Sequence, residues 1–198
     1  VFNVKTTDYT REVVHKQSKS IDLKCKVRPW AKHDIEFWES FGITLEWLEN
    51  PDIYPISHQI VLKNGQEYVF GADKYAYVFV EHKDEKVFLK FYQPYNKSGY
   101  KWSSNIDRSV WSLWTKIPDF GNNLILASSL KDCLNISANL GIPTVCLQGE
   151  GYLPKEHVMR NIKSRYRRII VFYDNDYTNP DNPGRKDSIR LSQEYNLY

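Results

Sequence analysis

The sequence predicts an α+β segment built on a mostly antiparallel sheet, followed by an α/β segment built on a parallel sheet. Three observations carry this. β-prone runs separated by short polar turns fill the middle of the first half. A Pro/Gly/Asn-rich stretch, "KIPDFGNN" (116–123), interrupts the pattern. Beyond it, short apolar runs alternate with helix-like segments, the signature of parallel strands joined by crossovers. We place an N-terminal α+β subdomain at 1–120 and an α/β domain at 121–198.

Residues 1–28 are polar and mixed, with a short strand expected near "SIDLKCKV". In "AKHDIEFWESFG" (31–42), Ile35, Trp38 and Phe41 fall on one helical face and Gly42 is a natural stop. Thr44 is placed to cap a second short helix, "LEWLEN", which must end before Pro51. "QIVLKNGQEYVF" (59–70) carries Asn64-Gly65 between two β-prone runs, a strong hairpin signal. "YAYVFVE" and "KVFLKFYQP" flank the polar turn "HKDE" and predict another hairpin.

In the second half, "LILAS" is a strand. "SLKDCLNISANLG" is a helix capped by Ser129 and stopped by Gly141. "TVCLQ" is a strand, "PKEHVMRNIKSRY" a helix with Pro at its start, "RIIVFYD" a strand and "RKDSIRLSQEY" a helix. The apolar runs suit strands covered on both faces.

The chain has 198 residues, 41% of them hydrophobic, with six Trp and fourteen Tyr, enough for a packed core. No apolar run approaches the roughly 20 residues that span a bilayer, and no basic-then-apolar leader is visible. The first residue is not Met and the last lie in a helix-like segment, so we expect a piece of a longer chain. Cys25, Cys133 and Cys146 have no CxxC spacing, which points to a reducing, cytoplasmic setting without a zinc knuckle or disulfide framework. Net charge is +3, but "RNIKSRYRR" (160–168) and Lys24, Lys26, Arg28 and Lys32 are dense basic blocks. These permit an acidic partner; a solvated helix face explains them equally well.

Ligands of an open parallel sheet bind beyond the carboxyl ends of its strands. The first strand ends at Ser128-Ser129, the second at Gln148-Gly149-Glu150-Gly151, the third at Asp174-Asn175-Asp176. Glu150, Asp174 and Asp176 would converge on one sheet edge. Asp174 and Asp176 share a side if the backbone stays extended. Two close carboxylates repel unless a cation lies between them. Oxygen ligands without nearby His or Cys favour Mg²⁺ or Mn²⁺ over zinc. The plain alternative is that "DND" caps the next segment, since Asp and Asn are common turn formers.

The order of these elements resembles the TOPRIM domain shared by bacterial-type DNA primases, topoisomerases and some nucleases. The family pattern is Glu-Gly then Asp after the first strand, Gly after the second, and DxD followed by Gly after the third. Here "SSLKD" matches the first place with Asp132 as the family Asp, "QGEG" the second and "DNDYTNPDNPG" the third, over residues 121–198. The family glutamate falls on Ser128, which supplies no carboxylate. Either the site is degenerate or Glu150, one strand over at roughly 4.8 Å spacing, has taken its place. Upstream, "KFYQPYNKSGYKWSSN" and "VWSLW" resemble the stretch preceding TOPRIM in bacterial-type primases, and the form with "SLKD" is especially like phage-encoded ones. Lys101, Trp102 and Asn105 are the local matches; an aromatic hairpin is the plain alternative.

The resemblance implies a primase catalytic core that makes short RNA primers from ribonucleoside triphosphates on single-stranded DNA. Glu150, Asp174 and Asp176 would hold Mg²⁺ or Mn²⁺, and Asp132 would orient Lys131 or a metal-bound water. Lys90, Lys101 and Arg108 would meet template or nucleotide phosphates, and Trp102 would stack on a base. Lys131, at a helix start, would contact a triphosphate or neutralise the acids. A replicative helicase and a zinc-binding domain outside the sequence are the implied partners, in the cytoplasm of a host cell. A TOPRIM nuclease and a degenerate, non-catalytic DNA-binding module are the alternatives. No GxxxxGK[ST] and no GxGxxG after a strand is present, which counts against a Walker-type ATPase and a dinucleotide enzyme.

Overall fold

A computed structural model describes residues 22–149 and 151–198. The α+β then α/β order predicted from the sequence is present: a six-stranded antiparallel sheet precedes a separate three-stranded parallel sheet with its helices. The chain divides into two compact units. One holds residues up to Phe37 together with Leu48–Ile106; the other holds Trp38–Trp47 and Asp107–Tyr198.

In the first unit, β1 (Asp22–Val27), β2 (Ile53–Lys63), β4 (Tyr77–Lys83), β5 (Lys86–Tyr92) and β6 (Trp102–Ser104) follow one another across the sheet. β3 (Gln66–Gly71) pairs with the far half of β2. Asn64 and Gly65 form the β2–β3 turn with φ 54° and 77°, as the Asn-Gly signal requires. The core beneath the sheet gathers Ile56, Ala76, Val78 and Phe91.

The β4–β5 hairpin turns on Asp84 and Glu85, both left-handed at φ 49° and 62°. Such a two-residue turn matches strand twist, but a side chain with a Cβ costs about 1–2 kcal/mol there. Glu85 is exposed and has nothing to offset that cost. Glu85→Gly is therefore expected to stabilise the fold by about 1 kcal/mol, raising the thermal midpoint by roughly 2–4 °C. Differential scanning calorimetry of both proteins measures it.

Helix α1 (Lys32–Glu39) begins beside a buried ion pair. Asp34 is fully buried. Arg28 donates to both of its oxygens at 2.6 and 2.9 Å, the Ala31 N–H donates at 2.9 Å, and the Tyr77 hydroxyl donates at 3.1 Å. Gly42 stops the chain after α1 with φ 71°, and α2 (Leu45–Glu49) follows with the Trp47 N–H bonded to the Thr44 carbonyl.

In the second unit, β7 (Gly121–Ala127) is central, with β8 (Thr144–Cys146) and β9 (Tyr166–Phe172) parallel on either side. Leu124 to Ala127 are four consecutive buried residues, which only a strand covered on both faces permits. Helix α3 (Leu130–Leu140) has Ser129 as N-cap and Gly141 as left-handed C-cap, φ 66°. Helix α4 (Glu156–Arg165) starts two residues later than expected. Pro154 stays outside it and Lys155 is the N-cap, because the Pro154 carbonyl is engaged by the Tyr195 hydroxyl. Helix α5 (Pro183–Tyr195) opens with Pro183 in its first turn and Asn182 as cap. Among the described residues, no helix is long and apolar enough to cross a membrane.

Candidate active site

The parallel register aligns the strand ends. Ala127 of β7 lies opposite Cys146 of β8 and Phe172 of β9, so Ser128 and Asp174 both leave the sheet at the same edge. Ser128 Oγ lies 2.9 Å from Asp132 Oδ2 and 3.2 Å from Asp174 Oδ1. One hydroxyl proton serves one acceptor at a time, so the two carboxylates share a single donor. Asp132 is half-buried in the first turn of α3. Its Oδ2 also accepts from Ser129 Oγ, and its own N–H returns a bond to that oxygen at 3.3 Å. The reciprocal cap fixes Asp132 over the helix N-terminus, where a negative charge is favoured.

The backbone does not stay extended through the Asp-Asn-Asp stretch. β9 ends at Phe172, and the Tyr177 N–H donates to the Asn175 carbonyl at 2.8 Å, folding the chain tightly at Asp176. Asp174 is exposed and Asp176 half-buried. Asn182 ties the following loop back to this turn. Its Oδ1 accepts from Asp176 N at 3.1 Å and from Arg185 N at 3.3 Å, and its Nδ2 donates to Asn175 Oδ1 at 2.8 Å. Gly184 then passes so close that a Cβ on it would lie 2.2 Å from the Asp174 carbonyl oxygen. The glycine after DxD thus allows backbone to meet backbone. Asn182, a turn residue of the loop by sequence, is also the cap of α5, and Asn followed by Pro is the signal for an N-cap before a first-turn proline.

At the β8 end, Ser112 pairs with Cys146 and accepts from Gln148 Nε2 at 3.0 Å, holding the start of the Gln-Gly-Glu-Gly loop. Glu150 itself lies outside the described residues. Among the described residues, no group of three or more His, Cys, Asp and Glu could hold a metal ion. The donors that do meet, Asp132, Asp174 and the Ser128 hydroxyl, are all oxygens, the chemistry Mg²⁺ and Mn²⁺ prefer.

Lys131 and Arg108 are among the cations of this unit that rest on aromatic rings. Lys131 Nζ is 4.3 Å from the Phe41 ring centre, and the Arg108 guanidinium is 4.0 Å from that of Tyr152. Such contacts hold a charge in place while leaving it available to an anion.

In the first unit, Lys90 and Tyr92 of β5 face Ser104 and Trp102 of β6 across the ladder. Trp102 stacks on Tyr92 with centroids 4.2 Å apart, and Lys90 Nζ lies 4.9 Å from the Trp102 ring. Asn105 is a structural clasp: its Oδ1 accepts from Leu89 N at 2.8 Å and its N–H donates to the Leu89 carbonyl at 3.2 Å. Lys101 is exposed, and its carbonyl accepts from Gln93 N.

No family model and no curated protein matches the chain. Solved structures similar to it include two from bacteriophage T7. One is the primase fragment of the bacteriophage T7 primase-helicase protein, 15% identical with a TM-score of 0.49, matched over 86% of this chain and 61% of that one. The other is the bacteriophage T7 lagging-strand DNA polymerase interacting with primase domains of two gp4 subunits bound to an RNA/DNA hybrid and dTTP. It is 13% identical with a TM-score of 0.46, over 86% of this chain and 74% of that one.

Proposed function

We propose that the chain is the catalytic core of a TOPRIM-type DNA primase, joining ribonucleoside triphosphates into short RNA on a single-stranded DNA template. The observation that carries the reading is the meeting of Asp132 and Asp174 at Ser128, where two parallel strands end side by side. Asp174, Asp176 and Glu150 would hold Mg²⁺ or Mn²⁺. The bound metal would favour attack by the primer 3′-hydroxyl and stabilise the departing pyrophosphate. Asp132, held by two serine hydroxyls, would orient a metal-bound water or the Lys131 ammonium. Lys131 and Arg108 would receive triphosphate oxygens, and Lys90, Lys101 and Trp102 the template.

A second reading, a DNA-binding module without catalysis, is favoured by one observation. Ser128 stands where the family glutamate is expected, and its hydroxyl already serves the two acids. The same assay separates these readings and a nuclease. The protein is incubated with single-stranded DNA, labelled ribonucleoside triphosphates and Mn²⁺. Short RNA that requires all substrates supports the primase, and Asp174→Ala is expected to abolish it. Shortened DNA supports a nuclease. Retained DNA with neither product supports the binding module. If Glu150→Gln leaves metal binding and synthesis unchanged, Glu150 is not the relocated ligand.

A further inference from the structure

We infer that the loop between β5 and β6 is a preformed stacking platform for single-stranded nucleic acid, built from Tyr95, Lys97, Tyr100 and Lys101. The loop presents aromatic and cationic side chains in alternation. Tyr95 is 61% exposed and Tyr100 69%, so both rings offer a face to solvent. Lys97 and Lys101 are exposed and make no ion pair among the described residues.

The loop is braced from within. Asn96 Oδ1 accepts from the N–H groups of Ser98 and Tyr100, both at 3.0 Å, and Asn96 Nδ2 donates to Asp73 Oδ2 at 2.9 Å. The buried Gln93 accepts from Asp73 N at 2.8 Å and donates to the Tyr100 carbonyl at 3.4 Å. Tyr95 is set edge-on against Tyr75, with centroids 5.1 Å apart, and against Phe37 at 5.9 Å. The backbone that presents these rings is therefore ordered before any ligand arrives. Asp73, the acid at the base of the loop, accepts from Asn96, and Lys97 and Lys101 outnumber it.

Rings that offer a π-face, interleaved with cations, recognise a strand whose bases are unstacked and whose phosphates are evenly spaced. A duplex keeps its bases covered and offers only the phosphates. The partner is a single strand held without sequence preference. Naming that strand the template rests on the function proposed above; the binding itself does not.

The test is fluorescence anisotropy with a labelled oligothymidylate of about 12 nucleotides, within the usual site size. Wild-type protein is expected to bind it. Tyr100→Ala, whose lost ring makes no ring contact among the described residues, is expected to weaken binding roughly 5- to 100-fold, while Tyr100→Phe retains it. The double variant Lys97→Ala/Lys101→Ala is expected to reduce the slope of log affinity against log salt by about 1.4. Asn96→Ala leaves all four side chains in place and is expected to weaken binding through loss of preorganisation alone. The inference is overturned if the wild type does not bind, if Tyr100→Ala binds as tightly as wild type, or if a duplex of equal length shows the same losses. Asp174→Ala separates it from the catalytic reading, since that variant is expected to bind normally while making no RNA. RNA synthesis with unaffected loop variants defeats the inference alone, and lost binding in the loop variants of a protein that makes no RNA defeats the polymerase alone.

Discussion

Asp34→Ala is expected to destabilise the first unit by about 3–5 kcal/mol, the scale of breaking a buried ion pair from one side. The substitution removes the acceptor for four donors at once: both Arg28 nitrogens, the Ala31 N–H and the Tyr77 hydroxyl. Arg28 keeps part of its side chain in water, 22% exposed, and can resolvate, which places the loss toward the lower end. Tyr77 is wholly buried and cannot. Equilibrium urea unfolding, followed by tryptophan fluorescence, is the measurement. A change under 1 kcal/mol would mean that the pair contributes nothing beyond packing.

The same pair sets an acid limit. Burial opposes ionisation of Asp34, but the Arg28 and Ala31 hydrogen bonds, with the Arg28 charge, outweigh it and hold its pKa below the ordinary carboxylate value. A folded-state pKa below the unfolded one, about 3.9, gives stability that is complete above the unfolded value. It is lost as pH falls through the folded value. Stability of the wild type should therefore decline through that window more steeply than that of Asp34→Ala.

Gly184→Val is expected to carry the second large effect, on the site itself. The first side-chain carbon would lie 2.2 Å from the Asp174 carbonyl oxygen, where backbone on both sides leaves nothing flexible to yield. Either α5 or the Asp174 segment must move by about 1 Å, and overpacking of this kind costs roughly 1–3 kcal/mol. A displacement of that size at a reacting centre costs about 100-fold in rate. We expect a folded protein, verified by circular dichroism, with a lowered thermal midpoint and, under the function proposed above, about 100-fold less RNA synthesis. Gly184→Ala should show the same pattern more weakly. Full activity in a folded Gly184→Val protein would mean that the position of Asp174 does not matter.

Local signals were read correctly because each depends on a few neighbouring residues. Asn64-Gly65 specified its turn by backbone torsion alone. Ser129 and Gly141 bounded α3 through hydrogen bonds within one helical turn. Asp84-Glu85 is visible as a polar turn, but its left-handed backbone is not, since Glu, unlike Asp, does not favour that region; strand twist imposes it. Whether β9 runs on through Asp174 to Asp176 is not a local matter: the strand ends at Phe172, the chain turns at Asp176, and Asn182, six residues on, accepts from the Asp176 amide.

What the sequence determined by itself was the order of strands and helices, and with it the sheet edge where chemistry-bearing side chains gather. Hydrophobic period and end signals are local, and parallel connectivity follows from them. The tertiary structure alone decided that Asp132 and Asp174, 42 positions apart in sequence, meet at one serine hydroxyl, and that Gly184 must lack a side chain to let α5 approach. It also decided that Asn96 and Gln93 brace an exposed row of tyrosines and lysines. Each of these depends on distances between segments that no local pattern encodes, because they are set by how strands register and helices pack.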